Sequence, residues 1–254
     1  MSKHIRKILI IGIVEKVNDN KEEFSVVMKL QPKWTDDQNT EKLGKPINVE
    51  VFLDDPESFD KYKPLCKTGN ILQIEGNLRN CRWQESDGTK KKRMVVSITR
   101  YDTSIALLPI KKESEMPYLN KVFVLGNCFK ATVRSTQNGH LMGIFPLITK
   151  KSYKDRNTGQ IVNQDEWLDV FVFNERLLAN YPAGEAPMEN KLVFVEGQIQ
   201  SGNNPNELKN NITITQRSDN KFFIIDNPKN NGEEKSEESS NSIGNISLDD
   251  DLPF

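Results

Sequence analysis

The segment EWLDVFVFN, residues 166–174, combines two kinds of apolar side chain in strict alternation. Successive side chains of a β-strand point to opposite faces, so each kind occupies its own face. The aliphatic face carries Leu168, Val170 and Val172, and the aromatic face carries Trp167, Phe171 and Phe173. If the aliphatic face fills a core, each outward ring can stack on an unpaired nucleic-acid base, which contributes about 1 to 3 kcal/mol. The alternative is that the rings pack on a neighbouring subunit or under a loop.

Further aromatic residues lie beside cationic side chains, a combination typical of surfaces that bind a nucleic-acid strand. Trp34 lies in LQPKWTDD, Trp83 in RNCRWQE and Tyr153 in TKKSYKDR. We predict that the phosphate backbone is contacted by Lys33, Arg79, Arg82, Lys90, Lys91, Lys92, Arg93, Lys150, Lys151, Lys154 and Arg156.

The segment ESDGTKKKR, residues 85–93, predicts a basic hairpin. Asp87-Gly88 is a preferred hairpin turn, and the four cations Lys90 to Arg93 follow it. Such a finger can clamp phosphates; the alternative is a hairpin tip that is charged for solubility. The counterpart in the second half, SGNNPNELKNN, has one lysine and no tryptophan, so the two halves should not bind equally there.

The residues that most often bind metals or act as nucleophiles are few and far apart: Cys66, Cys81, Cys128, His4 and His140. No C-x-x-C pair and no H-E-x-x-H motif occurs, so we expect neither a disulfide framework nor a zinc site. A nucleophile elbow, a phosphate loop and a convincing His-based constellation are also missing from the sequence. We therefore predict that the protein is not an enzyme and needs no cofactor.

The chain contains an internal duplication. KILIIGIVEKV and ILQIEGNLRN of the first half recur, in the same order, as KVFVLGNCFKATV and LVFVEGQIQS. Gly12 maps onto Gly126, 114 residues later, and Gly76 maps onto Gly197, 121 residues later. In the first half, the strand equivalent to 166–174 is INVEVFLDD, whose one outward ring is Phe52. Its inward side chains are Ile47, Val49, Val51 and Leu53.

Each half is predicted to be a small barrel. Short β-branched runs separated by Gly, Pro, Asn and Asp indicate strands, in the first half near 8–11, 26–30, 47–53, 71–74 and 95–98. Gly12 and Gly126 predict a bulge or bend that lets the sheet curl. DDPESFDKYK and NERLLANY predict one helix between the third and fourth strands. The fold class is thus all-β, with two tandem five-stranded OB-fold barrels, each with one short helix.

The composition changes abruptly after Asp226. From residue 227 onward, seven acids and two lysines give a net charge of −5, so the overall −1 leaves +4 on residues 1–226. The segment has almost no apolar residues, so we predict a disordered acidic tail. We expect barrels at 1–110 and 118–226, a linker at 111–117 and the tail at 227–254. The tail ends in Asp249, Asp250, Asp251, Leu252, Pro253 and Phe254.

The tip of this tail has the chemistry of a hook. A basic pocket on another protein can accept the Phe254 ring and pair with its carboxylate, while the aspartates contact the rim. The alternative is an acidic solubilising tail that ends in an aromatic residue by chance. The charge split further predicts that the tail competes with a nucleic-acid strand for the basic grooves.

Together these motifs resemble those of bacterial single-stranded-DNA-binding proteins, in the form that has two OB barrels. NKVFVLGN is similar to the family's opening strand, SYKDRNTGQ and DEWLDVFVF to its second and third strands, and VFVEGQIQ to its fourth. LQIEGNLRNCRW is a weaker match in the first half, and DDDLPF is similar to the family's acidic tip. The resemblance places the stacking positions at Trp34, Phe52, Trp83, Tyr153, Trp167 and Phe173. About where the second half should repeat Trp83 it has Asn204, and the first half lacks a ring opposite Trp167.

The resemblance implies sequence-independent binding and protection of single-stranded DNA during replication, recombination and repair. It also implies recruitment of genome-maintenance proteins through the tip, and a homodimer that displays four barrels. The apolar run in the start MSKHIRKILIIG is too short for a signal peptide, and no long apolar run follows. We therefore expect a cytoplasmic, nucleoid-associated protein that does not bind a membrane. The alternatives are an OB-fold interaction scaffold with weak DNA affinity and a binder of single-stranded RNA.

Overall fold

The structure, a computed structural model, describes residues 4–20, 23–35, 38–100, 102–136, 138–154, 160–201, 212–217 and 220–225. At residues 35, 151–154, 161–164 and 212 it describes the backbone alone. Strands dominate this part of the chain, which confirms the all-β fold class. None of its helices combines the length and the hydrophobicity that a bilayer-spanning segment requires.

The first half of the chain forms a closed barrel. In chain order its strands are β1 (Ile5–Asp19), β2 (Phe24–Leu30), β3 (Lys33–Thr35), β4 (Glu41–Leu43), β5 (Ile47–Leu53), β6 (Ile71–Gln84), β7 (Lys90–Ile98) and β8 (Ser104–Leu107). The barrel order is β1-β2-β5-β7-β6, and β6 pairs back onto β1. The β5–β7 pair is parallel and the others are antiparallel. The hairpin β3–β4, which we call the arm, lies between the second and third barrel strands.

The second half repeats this arrangement. Its strands are β9 (Asn120–Ser135), β10 (Leu141–Lys154), β11 (Ile161–Val172), β12 (Gly184–Ser201), β13 (Ile212–Gln216) and β14 (Phe222–Ile225). The barrel order is β9-β10-β11-β13-β12, and β12 pairs back onto β9. Strands β8 and β14 extend the edges at β6 and β12. The same strand order in both halves confirms the two tandem OB barrels.

A short helix follows the third barrel strand in each half, as predicted. Helix α1 (Pro56–Tyr62) begins with a capping box, in which the Asp55 carboxylate accepts a hydrogen bond from the Ser58 backbone N–H at 2.9 Å. Helix α2 (Glu175–Leu178) is capped by Asn174, whose side-chain oxygen accepts a hydrogen bond from the Leu177 backbone N–H. These start signals explain why both helices could be located from the sequence.

Glycines sit where neighbouring strands approach too closely for a side chain. A Cβ at Gly12 would lie 2.8 Å from the Lys29 carbonyl oxygen, and a Cβ at Gly126 would lie 2.8 Å from that of Ile148. The registers of β1–β2 and β9–β10 shift a few residues further on, so the irregularity lies after Gly12 and Gly126, whereas the sequence predicted it at these glycines. The equivalent contacts show that neighbouring strands approach equally closely at this position in both halves.

The two barrels share one sheet. Residues 5–10 of β1 pair antiparallel with residues 120–125 of β9, so the order β8-β6-β1-β9-β12-β14 is continuous. The chain between β8 and β9 packs on the first barrel, where Met116 is 1% exposed beside Ile11 and Ile71. Lys29 Nζ lies 2.8 Å from Glu113 Oε1 in the same segment, a hydrogen bond that raises the pKa of Lys29. The expected linker, 111–117, falls in this docked segment, and the domain limits themselves stay a prediction.

Candidate nucleic-acid interface

Strand β11 presents aromatic side chains on the outer wall of the second barrel. Leu168, Val170 and Val172 are fully buried in the barrel, as the alternation predicts. On the opposite face Trp167 is 46% exposed and Phe173 is 38% exposed. Phe171, between them, is half-buried. This wall therefore offers two open rings to a flat ligand such as a base.

Strand register shows which residues occupy the same places in the first barrel. Phe52 of β5 pairs with Ser97 of β7, and Phe171 of β11 pairs with Thr215 of β13, so Phe52 corresponds to Phe171. By the same register Asn48 corresponds to Trp167, and Asp54 corresponds to Phe173. The absence of a first-half ring opposite Trp167, expected from the sequence, is thus confirmed by the strand pairing.

The prediction that Phe52 stacks with bases is wrong, because this ring is only 2% exposed. The Arg79 guanidinium lies over it, 5.1 Å from the ring centroid. Two hydrogen bonds of 2.9 and 2.8 Å from Arg79 to the Asp54 carboxylate hold the guanidinium there. Although burial lowers the pKa of Arg79, these bonds raise it above its ordinary value. Arg79 thus covers Phe52 and is paired with Asp54, and its predicted contact with phosphates stays a prediction.

The basic hairpin forms as predicted, and we call residues 79–95 of β6 and β7 the finger. Its turn at Asp87-Gly88 has Gly88 at φ +84°, and the Glu85 backbone N–H donates to the Thr89 carbonyl at 2.9 Å. The finger carries Trp83 on the same face as Arg93, whose guanidinium lies 5.6 Å from the Trp83 ring centroid. The hairpin therefore supports a ring beside a cation, the pairing that the sequence indicated.

The cations of the finger are not equally available. Arg93 lies 2.6 Å from the buried carboxylate of Glu50, and Lys91 lies 2.9 Å from Glu85. Arg82 and Lys90 are exposed. Arg93 and Lys91 are thus held inside the first barrel's own charge network, whereas Arg82 and Lys90 face solvent.

The finger lies against the aromatic strand of the second barrel. The Asn80 side-chain amide donates to the Trp167 carbonyl at 2.6 Å, and the Asn80 backbone N–H donates to Glu166 at 3.3 Å. Lys92 adds an ion pair of 3.6 Å with Asp169. These contacts bring the strand segment of Trp83 next to that of Trp167. Sequence reasoning missed Asn80 and Glu166, because neither residue carries a binding signal of its own.

The arm of the first barrel presents Trp34, which is 53% exposed. A Cβ at Gly44 would lie 3.1 Å from this ring, so the glycine lets the ring lie close to the arm's backbone. Lys33, next to it, is largely covered and donates to the Ser114 carbonyl at 2.7 Å. The Trp34 ring is therefore accessible, and its stacking on bases stays a prediction. Lys33 instead contacts the segment between the barrels, and its side chain is largely covered.

The second barrel has no separate hairpin like β3–β4 within the described residues; instead, its strands β10 and β11 themselves extend into a long paired hairpin. The pairing runs without interruption from Gly143 opposite Val172 to Lys154 opposite Ile161. Lys150 is exposed, and its backbone N–H donates to His4 Nδ1 at 2.7 Å. Several predicted residues lie outside the described side chains: Lys151, Tyr153, Lys154, Arg156, Asn204 and the tail tip from Asp249 to Phe254.

The described residues hold no group of three or more His, Cys, Asp or Glu arranged to bind a metal ion. All three cysteines are free. Burial raises the pKa of the Cys66 thiol to about 11 and that of Cys128 to about 12. These two thiols are therefore neutral core side chains at physiological pH.

Comparison with known proteins shows which proteins this chain resembles. Residues 119–222 match the Single-strand binding protein family. The single-stranded DNA-binding protein of Rickettsia typhi is 25% identical over 150 residues, which cover 54% of this chain and 97% of that protein. The single-stranded DNA-binding protein of Rhizobium meliloti is 31% identical over 87 residues, which cover 33% of this chain and 47% of that protein. These matches confirm the resemblance that the motifs indicated.

Solved structures extend the likeness of fold to both barrels. The crystal structure of the wild-type single-stranded DNA binding protein from Thermus aquaticus superposes with a TM-score of 0.58 and 15% identity. The superposition covers 92% of this chain and 98% of that chain. A deletion mutant of the same protein gives a TM-score of 0.58 with 17% identity, over 91% of this chain and all of that chain. The likeness therefore spans nearly the whole described fold.

Proposed function

We propose that this chain, whose residues 119–222 match the Single-strand binding protein family, binds single-stranded DNA without strong sequence preference. One observation carries the proposal: β11 fills the barrel with aliphatic side chains while Trp167 and Phe173 stand open on the outer wall. Every base has a flat π face, so stacking on such rings distinguishes little between bases. Duplex DNA hides these faces and should compete poorly.

The finger supports a path for the strand across both barrels. Asn80 ties the finger to the backbone of Trp167, so a strand that stacks on Trp167 can continue towards Trp83. The exposed cations Arg82 and Lys90 lie along this hairpin, where they can contact phosphates. Since each neutralised phosphate releases counterions, affinity should fall with salt at a log–log slope of about −0.7 per contact.

Tryptophan fluorescence tests the proposal directly. Trp34, Trp83 and Trp167 are the chain's tryptophans, so titration with oligo-dT should quench the emission. Replacing Trp83 and Trp167 by alanine together should weaken binding by about 1 to 3 kcal/mol for each lost stack. Phe52→Leu is the matched control. The Phe52 ring is buried, so its replacement should leave the affinity for oligo-dT unchanged. Undiminished binding of oligo-dT by the double variant would contradict the proposal, and preferential binding of oligo-U would favour RNA as the ligand.

The proposed assembly is a homodimer that uses the outer face of the shared sheet. Directly paired residues form an apolar row across four strands: Ile5, Leu125, Phe194 and Phe223. Phe223 is 53% exposed, and its ring is stacked on that of Phe194. An open apolar row of this kind is characteristic of a surface that packs on a second protein. A second copy fits best, because a two-fold axis places the same row on itself.

Light scattering with a charged variant tests the homodimer. Phe223→Asp should convert the dimer to a monomer, because the carboxylate would be buried unpaired at the contact. Phe129→Asp is the control, since Phe129 is 48% exposed but lies outside the apolar row. An unchanged mass for the Phe223 variant, or equal dissociation of both variants, would overturn this assignment.

The proposal includes protection of exposed DNA during replication, recombination and repair, with partner proteins recruited by the tail tip. The tip lies outside the described residues, so the support is its sequence: three aspartates before Leu252, Pro253 and Phe254. Deleting these last six residues should abolish capture of genome-maintenance proteins and leave oligo-dT binding in place. Capture that persists without the tip would assign recruitment to the barrels instead.

The charge split leads to a second test of the tail. Residues 1–226 carry +4 and the remainder carries −5, so the tail can compete with DNA within the same chain. Deleting residues 227–254 should tighten DNA binding at low salt and have little effect at high salt, where the attraction is screened. Identical affinities across a salt titration would exclude this competition.

A further inference from the structure

A cleft of about 640 Å³ separates the arm of the first barrel from the β12–β13 sheet of the second. The first barrel contributes Trp34 and Lys45, and the second contributes Gln198, Gln200 and Arg217. Tyr118, from the segment that joins the barrels, lies between them. The cleft therefore exists only because the two barrels are held side by side in one chain.

The walls of this cleft are fixed by contacts across the joining segment. The Tyr118 hydroxyl donates to Gln198 Oε1 at 3.3 Å and accepts a hydrogen bond from the Asn120 side-chain amide at 2.9 Å. On the other side, Lys33 donates to the Ser114 carbonyl, which ties the arm to the same segment. A site whose two walls are anchored to one rigid connection is preorganised for a ligand.

The lining has the chemistry of a nucleotide site. Trp34 offers a half-exposed ring, and Lys45 and Arg217 are exposed cations. The amides of Gln198 and Gln200 can donate and accept hydrogen bonds at a base edge. The described lining contains no carboxylate. By contrast, a cleft of about 610 Å³ beside α1 is lined by Glu23, Asp54 and Asp55, which would repel phosphates.

We propose that this cleft holds a short segment of single-stranded DNA, one or two nucleotides long, as the strand passes between the barrels. One base stacks on Trp34, Lys45 and Arg217 contact the flanking phosphates, and Gln198 or Gln200 meets the base edge. The volume lies within the roughly 300 to 1,000 Å³ of small-ligand sites. This inference rests on the proposed function and adds four residues that sequence reasoning missed: Lys45, Gln198, Gln200 and Arg217.

The first experiment isolates the Trp34 signal. In a chain carrying Trp83→Phe and Trp167→Phe, Trp34 is the one remaining tryptophan, and both other positions keep a ring. Oligo-dT should quench its emission, and Trp34→Ala in the otherwise unchanged chain should weaken binding of a long oligo-dT by about 5- to 150-fold, as for one stacked base. Binding without any change in Trp34 emission would overturn the inference.

The second experiment removes the cations. Lys45→Gln with Arg217→Gln should make the salt dependence of oligo-dT binding shallower by about 0.7 in log–log slope for each lost phosphate contact. Lys67→Gln is the matched control, because Lys67 is exposed outside this cleft. Lys45 and Arg217 are on the surface, so the melting temperature of the double variant should be unchanged. Equal salt slopes in the double variant and in the Lys67 control would refute the binding of DNA in this cleft. If the unmodified chain did not bind oligo-dT at all, the proposed function itself would be refuted.

Discussion

The third strands of the two barrels, β5 and β11, have the same inner face and opposite outer walls. Inside, both carry aliphatic side chains that are at most 8% exposed, such as Val51 and Val170. Outside, β5 and the residue that follows it carry carboxylates that pair with arginines: Glu50 lies 2.6 Å from Arg93, and Asp54 accepts hydrogen bonds from Arg79. The wall of β11 carries open rings instead. The fold thus constrains the interior of each copy and leaves the outer wall free to diverge.

The aromatic pair at equivalent positions illustrates this divergence. Phe52 lies under Arg79 and is 2% exposed, so its ring contributes to packing. In the second barrel the place of Asp54 is taken by Phe173, a residue that cannot hold an arginine over the neighbouring ring. The Arg79–Asp54 pair therefore closes this wall of the first barrel, and the second barrel has Gln200 and Phe173 at the two equivalent positions.

The largest expected effect concerns stability at these two positions. Phe52→Ala should lower the free energy of unfolding by about 3 to 5 kcal/mol, as for other buried phenylalanines. Phe173→Ala, at 38% exposure, should lower it by less and weaken oligo-dT binding instead. Urea denaturation and fluorescence titration of both variants separate the two roles. Weaker DNA binding by a stably folded Phe52→Ala variant would break the comparison.

The acidic residues of the two walls give the next largest difference. Glu50 is 6% exposed and paired with Arg93, so Glu50→Gln should cost about 1 to 3 kcal/mol of stability. Its counterpart Asp169 is partly exposed and 3.6 Å from Lys92, so Asp169→Asn should cost about 1 kcal/mol or less. Thermal denaturation of the two isosteric variants measures both values. Equal losses would mean that the walls are built alike.

The finger gives a smaller effect that distinguishes its lysines. Lys90→Gln should make the log–log salt slope of oligo-dT binding shallower by about 0.7, because an exposed lysine can neutralise one phosphate. Lys91→Gln should change it less, since Lys91 already pairs with Glu85 at 2.9 Å. Titrations at several salt concentrations provide the slopes. If both variants shift the slope equally, the ion pair does not hold Lys91 away from DNA.

The smallest effect concerns the interiors, which should behave alike. Burial raises the pKa of Cys66 from 9.0 to about 11 and that of Cys128 from 9.0 to about 12, so folding favours the neutral thiols. Their contribution to stability is complete below the unfolded pKa and is lost as the pH rises through the folded values. At mildly alkaline pH, iodoacetamide should modify the half-exposed Cys81 well before the other two. Peptide mass spectrometry would detect early modification of Cys66 or Cys128, which would contradict the burial.

The sequence predicted features that depend on local pattern. Alternation along β11 located its buried and exposed residues, and the Asp55 cap and the Asp87-Gly88 turn located a helix and a hairpin. Features that depend on distant pairing were missed. The burial of Phe52 requires Arg79, which is brought to it from another strand. The pairing of β1 with β9 required the three-dimensional arrangement for the same reason.

The ladder between β1 and β9 has a consequence for fragments of this protein. If the chain were divided between the barrels, β1 and β9 would no longer pair with each other. Each half would then expose an edge strand with unpaired backbone donors and acceptors. Exposed edge strands pair readily with other strands, so an isolated half should pair through this edge with a second copy of itself or with the other half. Mixing the two separately expressed halves should therefore restore the two-barrel arrangement, mainly through backbone hydrogen bonds between β1 and β9.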